Sequence, residues 1–152
     1  MKLTEILNRD ACIVDMQGKT KTDALQELAS ALSAHSPDLD SDGLLDMLLE
    51  REKLGSTGMG DGIAIPHARI ESLDRLVANF GRSVSGIDFD SVDGKRTHLF
   101  FLMVAPDGEG SAHLLTLAKL SRLLSEESFR ASLRELESTD ELFRLIEEGE
   151  SE

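Results

Sequence analysis

Apolar residues recur every three or four positions at Leu25, Leu28, Ala29 and Leu32, which predicts an amphipathic helix over residues 20–35. Thr20 is placed to cap its start, with Asp23 three positions on, where a capping box more usually carries Glu or Gln. Pro37 breaks that helix. A second stripe, Leu44, Leu45, Leu48 and Leu49, predicts another, capped by Asp40 or Ser41, carrying Arg51 in its last turn and stopped by Gly55. Ahead of both, Leu3, Ile6 and Leu7 predict a short opening helix, and residues 11–14 a brief apolar strand.

Beyond Gly55 the pattern changes. Residues 55–62, GSTGMGDG, read as a glycine-rich loop that delivers the chain to a short strand over 63–66, closed by Pro66. Residues 76–84 and 97–105 read as two neighbouring strands, with Gly and Asp-Gly turn signals between them. After a loop at 106–110, Ser111 can cap a helix reaching about residue 125 on Leu114, Leu117, Ala118 and Leu124. Two further helices are predicted over 126–136 and 139–147, followed by a frayed GESE end. With no internal repeat and no linker between two cores, residues 1–152 are expected to form a single α/β domain, a small sheet covered by helices.

Composition narrows the chemistry. With 29 acidic against 16 basic residues the net charge is −13, which repels nucleic-acid phosphates and anionic membranes, so neither is an expected partner. A phosphate site must then be built locally from Arg, His and backbone N–H groups. Six Phe without Trp or Tyr leave the core mainly aliphatic, and the lone Cys12 excludes an internal disulfide. Cys12 sits in an apolar run and reads as a small buried hydrophobe. The amino terminus lacks a signal-peptide core and no segment approaches membrane-spanning length, so a cytoplasmic location without membrane insertion is expected.

His67 follows Pro66 at the end of a short strand, a setting that restrains an imidazole whose pKa lies near neutrality and whose nitrogen can act as a nucleophile. On position alone, a structural and a functional role stand equally open. The preceding loop lacks the Lys-Ser/Thr ending of a nucleotide P-loop and opens no helix, which argues against ATP. Ser56 and Thr57 can still offer hydroxyls, and Gly58 a close backbone N–H, to a phosphoryl group. The alternative is a tight connection between helix and strand. His35 and His98 read as structural or surface residues, and the spacing of His67 and His113 matches no common metal motif, so neither metal nor cofactor is expected.

The run from Arg51 through GSTGMGDGIAIP to His67 resembles the active-site signature of enzyme IIA domains of the fructose, mannitol and nitrogen-related phosphotransferase system, and the likeness extends over nearly the whole chain. The resemblance implies a small mixed β-sheet flanked by helices. It implies that His67 accepts a phosphoryl group from the phosphocarrier protein HPr, that His113, in EGSAHLLTLAKL, faces it, and that Arg51 offsets phosphoryl charge. Downstream, it implies either a IIB transporter domain or a regulated protein partner. The absence of an adjoining IIB segment and the wording of the motif favour the nitrogen-related, regulatory branch. Sugar-specific transfer and a phosphorylation-independent binding module are the alternatives. Asp61 stands where the family usually has Asn, and Ala68 where it often has Gly. Asp61 is expected to add negative charge beside the phosphate site while tolerating a left-handed backbone.

Overall fold

The computed structural model describes residues 2–106 and 110–151, with the side chains of residues 110–112 outside the described set. Its centre is a strand, β5 (Thr97–Ala105), in which eight of nine residues are buried, so both of its faces are covered and its sequence is apolar without alternation. β4 (Val77–Ile87) pairs with it antiparallel on one side. On the other side β2 (Ile63–Ala64) and β3 (His67–Arg69) pair with it in parallel, one after the other, and β1 (Gly58–Gly60) adds to β2 antiparallel. The sheet is therefore small and mixed.

The two faces of β5 divide the core with period two. Leu99, Phe101, Met103 and Ala105 join α1 (Leu3–Ile6), α4 (Gly110–Leu124), α5 (Glu127–Arg134) and α6 (Thr139–Ser151) in one apolar cluster. Phe100, Leu102 and Val104 join α2 (Lys21–Ala34) and α3 (Ser41–Lys53) in the other. Each of the larger side chains contributes about 1.5–3 kcal/mol by leaving water, and Ala105 less. The observed arrangement is a three-layer α/β domain, as expected.

The helix starts follow the chain chemistry. Thr20 Oγ1 accepts from Asp23 N at 3.1 Å, and at α3 it is Asp40, not Ser41, that caps, accepting from Gly43 N at 3.0 Å. The Ser111 cap and most of the 106–110 loop fall outside the described residues.

Four local expectations are corrected. Residues 11–14 form no strand of their own: a turn of 3₁₀ helix over Arg9–Ala11, started by Asn8, interrupts the segment, whose backbone bridges to β4 at Leu7 and Ile13 are isolated, with Asn79 Nδ2 and Arg82 Nε of β4 donating to Ala11 O and Val14 O. The glycine-rich segment is not all loop, since residues 58–60 pair with β2 as a hairpin whose turn residues, Asp61 (φ 57) and Gly62 (φ 78), have the left-handed backbone that such turns require. The strand expected over 63–66 is split, because Ile65 N turns away to Thr57 O (3.1 Å) while Pro66 O accepts from Met103 N (3.0 Å). Finally, the GESE end is not frayed through Ser151. α6 continues because Glu150 accepts from Leu3 N at 2.9 Å and lies 3.8 Å from Lys119, so the two ends of the chain hold each other.

Candidate functional site

β3 positions His67. It pairs with Met103 in register, and paired residues point to the same face, which for Met103 is the side covered by α4. The half-buried imidazole places Nδ1 3.0 Å from Ile65 O. A carbonyl can only accept, so Nδ1 carries the proton and Nε2 presents its lone pair outward.

His113, one turn into α4 and 5% exposed, meets it: the ring centroids are 5.8 Å apart and the planes tilted by 50°. Burial, followed by the positive fields of His67 and Arg69, pushes the His113 pKa below the ordinary imidazole value, favouring its neutral form. Its Nδ1 is buried without a hydrogen-bond partner. The first turn of α4 starts about 5 Å away along the helix axis, bringing the positive end of the helix dipole to the same side.

Arg51 is anchored elsewhere. Its Nη1 donates to Gly55 O at 2.9 Å, closing the C-terminal turn of α3, and it makes no hydrogen bond to either imidazole. The donors expected of the loop are likewise engaged within it. Ser56 Oγ donates to Phe89 O at 2.6 Å and accepts from Gly58 N at 3.0 Å, and Thr57 gives both its N–H (3.0 Å) and its hydroxyl to the Glu52 carboxylate. Gly58 is packed so closely that an added Cβ would lie 2.8 Å from Ser91 Oγ. Thus the structure brings His67 and His113 together, and holds Arg51 in the last turn of α3 and Ser56, Thr57 and Gly58 in the connection to β1.

Glu52 is the residue that sequence reading missed. Its side chain, 6% exposed, receives Lys21 Nζ at 2.9 Å as well as both Thr57 donors. Thr57 O in turn accepts from Ile65 N, and Ile65 O fixes His67 Nδ1. Glu52 is therefore a positioning residue, three hydrogen-bond steps from the imidazole. It lies inside the run from Arg51 to His67, but its role is not marked there, because its partners come together only when α2, α3 and the loop pack.

Asp61 does not stand beside the histidines. Gly62 O, next to it, accepts from His98 N and Leu99 N, four to five residues along β5 from Met103, or about 13–16 Å. Its left-handed backbone is as expected, but its charge belongs to the far end of the sheet. His98 Nδ1 bonds Ser83 O at 2.9 Å, and the backbone carbonyl of His35, the C-cap of α2, accepts from Asn8 Nδ2 at 3.3 Å; both residues serve the fold. Cys12 is half-buried, and burial raises its pKa to about 11, which keeps it an unreactive thiol. Among the described residues no group of three or more His, Cys, Asp or Glu is arranged to hold a metal, and no helix is long and apolar enough to cross a membrane.

An imidazole with a fixed tautomer, a buried second imidazole opposite it and a helix amino terminus nearby are the kind of local groups that can accept an anion on a strongly acidic chain. Comparison with known proteins places the whole chain. The chain is 35% identical over 146 residues to a nitrogen regulatory protein of Bradyrhizobium diazoefficiens, covering 96% of this chain and 95% of that one. It is 37% identical over 146 residues to the fructose-specific EIIABC component of Bacillus subtilis, where it covers 96% of itself but spans only 23% of that larger protein. The crystal structure of nitrogen regulatory protein IIA-Ntr from Neisseria meningitidis superposes with a TM-score of 0.89 at 33% identity, covering 95% of this chain and 98% of that one. Residues 5–149 match the family described as phosphoenolpyruvate-dependent sugar phosphotransferase system, EIIA 2, and the chain belongs to that family.

Proposed function

We propose that the protein is a histidine phosphocarrier of nitrogen-related regulation, accepting a phosphoryl group on His67 Nε2 from the phosphohistidine of an HPr-type carrier. The observation that carries this reading is the His67 imidazole, tautomer fixed by Ile65 O and faced at 5.8 Å by His113. In the transfer, the donor's N–P bond breaks as the bond to Nε2 forms, in line, so neither nucleotide nor metal is required. Catalysis is then positioning and charge stabilisation. His113 contacts the phosphoryl oxygens, Arg51 swings from Gly55 O to offset their charge, and the loop at Ser56, Thr57 and Gly58 holds the strand in place while supplying local donors. The phosphorylated and free forms then bind a regulated protein partner differently, in the cytoplasm. Similarity to nitrogen regulatory proteins of nearly equal length supports this branch.

The fructose-specific relative supports a second reading, in which the phosphoryl group passes to a IIB domain. Intact-mass analysis after incubation with enzyme I, an HPr-type carrier and phosphoenolpyruvate tests both. Acid-labile addition of one phosphoryl group, abolished in His67→Ala, is expected, and adding a fructose-type IIB domain should leave that label in place. Drainage of the label to IIB would favour the sugar reading. An unmodified wild type with every carrier would sink the phosphocarrier reading and leave a phosphorylation-independent binding module.

A further inference from the structure

At the opposite end of β5 from His67, a cleft of about 420 Å³ opens between the β1–β2 hairpin turn, the segment entering β5 and α5. Lys95, Arg96, His98, Arg130 and Arg134 line it. His98 stands five residues before Met103, the register partner of His67, so the two sites are separated by about 16 Å along the strand.

The guanidinium groups in this cleft are oriented by backbone carbonyls rather than by close ion pairs. Arg96 Nη1 donates to Gly86 O at 3.1 Å, Arg130 Nη1 to Leu124 O at 2.7 Å, and Arg134 Nη2 to Asp61 O at 3.0 Å. Each acceptor is a neutral carbonyl, which fixes one N–H of a guanidinium and leaves the rest of its donors for another group. None of the ion pairs among the described residues involves Lys95, Arg96, Arg130 or Arg134. Asp61, Asp93 and Glu127 also reach the cleft, but Asp93 spends both its oxygens on backbone, accepting from Asp61 N and Lys95 N at 3.0 Å each. His98 gives Nδ1–H to Ser83 O, leaving Nε2 as a further polar group.

A chain with 16 bases against 29 acids has carboxylates in excess, yet here four bases outnumber the three carboxylates, Asp61, Asp93 and Glu127, and form no close ion pair with them, although Lys95 lies in the field of Asp93. Like charges held together repel, and the arrangement is stabilised when an anion fills it. Guanidinium forks match the geometry of phosphate oxygens. The volume falls within the roughly 300–1,000 Å³ of small-molecule sites and exceeds what a lone phosphate fills. We propose that this cleft is a second anion site, binding a small phosphorylated metabolite with two or more negative charges, independently of His67.

Titration of the full chain with inorganic pyrophosphate at low salt, followed by ¹⁵N–¹H correlation spectra, tests this. Saturable shifts are expected at the amides of residues 61–62, 95–98 and 130–134, absent at residues 67 and 113, and weakened by added salt. Arg96→Ala with Arg130→Ala should weaken binding by about tenfold or more. Lys95→Glu, at an exposed side chain, should also weaken it while leaving the free spectrum dispersed, which guards against a folding defect. Shifts that centre on His67, survive both changes, or fail to appear at millimolar pyrophosphate would overturn the proposal. So would binding of a polyglutamate peptide but not of pyrophosphate, which would assign the cleft to an acidic protein partner.

Discussion

Replacing Glu52 by Ala would remove the acceptor on which Thr57 N, Thr57 Oγ1 and Lys21 Nζ converge. Hydrogen bonds to a charged group contribute about 1.5–3 kcal/mol each, but three sharing one carboxylate do not add. The loss is set instead by the two Thr57 donors left unpaired, about 1–3 kcal/mol each, and by the weaker hold on Lys21, which keeps only Asp90 Oδ2 at 3.5 Å, for about 3–5 kcal/mol in all. For a domain of this size each kcal/mol moves Tm by roughly 2–4 °C, so Glu52→Ala should melt roughly 6–20 °C below the parent by circular dichroism. Glu52→Gln keeps an oxygen for Thr57 but loses the charge facing Lys21, and should fall about midway. Amide exchange at Thr57 and Ile65 should quicken, and phosphoryl acceptance by His67 should slow, because the chain of bonds from Glu52 through Thr57 and Ile65 ends on its Nδ1. A Glu52→Ala protein within about 1 kcal/mol of the parent, with amide protection at Thr57 and Ile65 unchanged, would refute this account of how the histidine is held.

Other outcomes follow from the same geometry. Burial lowers the His113 pKa, so the unfolded chain takes up the proton more readily; the stability His113 contributes is present above about pH 6.5 and is lost as pH falls through its lower folded-state value. Denaturant unfolding from about pH 8 to pH 5 should show this loss, smaller in His113→Asn, and identical slopes in the two proteins would count against it. Leu102→Ala, at a fully buried position of β5, should cost about 2–5 kcal/mol by cavity formation, measured by urea unfolding. Glu150→Ala should cost about 1–2 kcal/mol and speed amide exchange at Leu3, whose N–H it accepts; an unchanged Leu3 amide would show that α6 does not secure the amino terminus.

The linear order of elements was legible because its signals are local. Thr20 and Asp40 cap helices through their own neighbours, and the strongly apolar run within residues 97–105 read as a strand, which the fold covers on both faces. His67 and His113 stood out because their flanking residues form a recognisable pattern, and the fold brings the two rings together. What sequence could not reveal depends on groups far apart in the chain. Residues 11–14 look like a strand but form no ladder, since a turn at Arg9–Ala11 leaves isolated backbone bridges to β4 and side-chain bonds from Asn79 and Arg82 in its place. Glu150 and Leu3 lie 147 residues apart, so nothing near the carboxyl terminus announces that it is tied down. The same holds for Glu52, whose role exists only once Lys21 and Thr57 have been carried to it, and for the unpaired cations of residues 95–96 and 130–134, which sheet register and helix packing bring to one cleft. Periodicity and capping are decided between neighbours in the chain. Tertiary packing alone decided which charges meet, because a charge's partner is whatever the folded chain brings within hydrogen-bond distance of it.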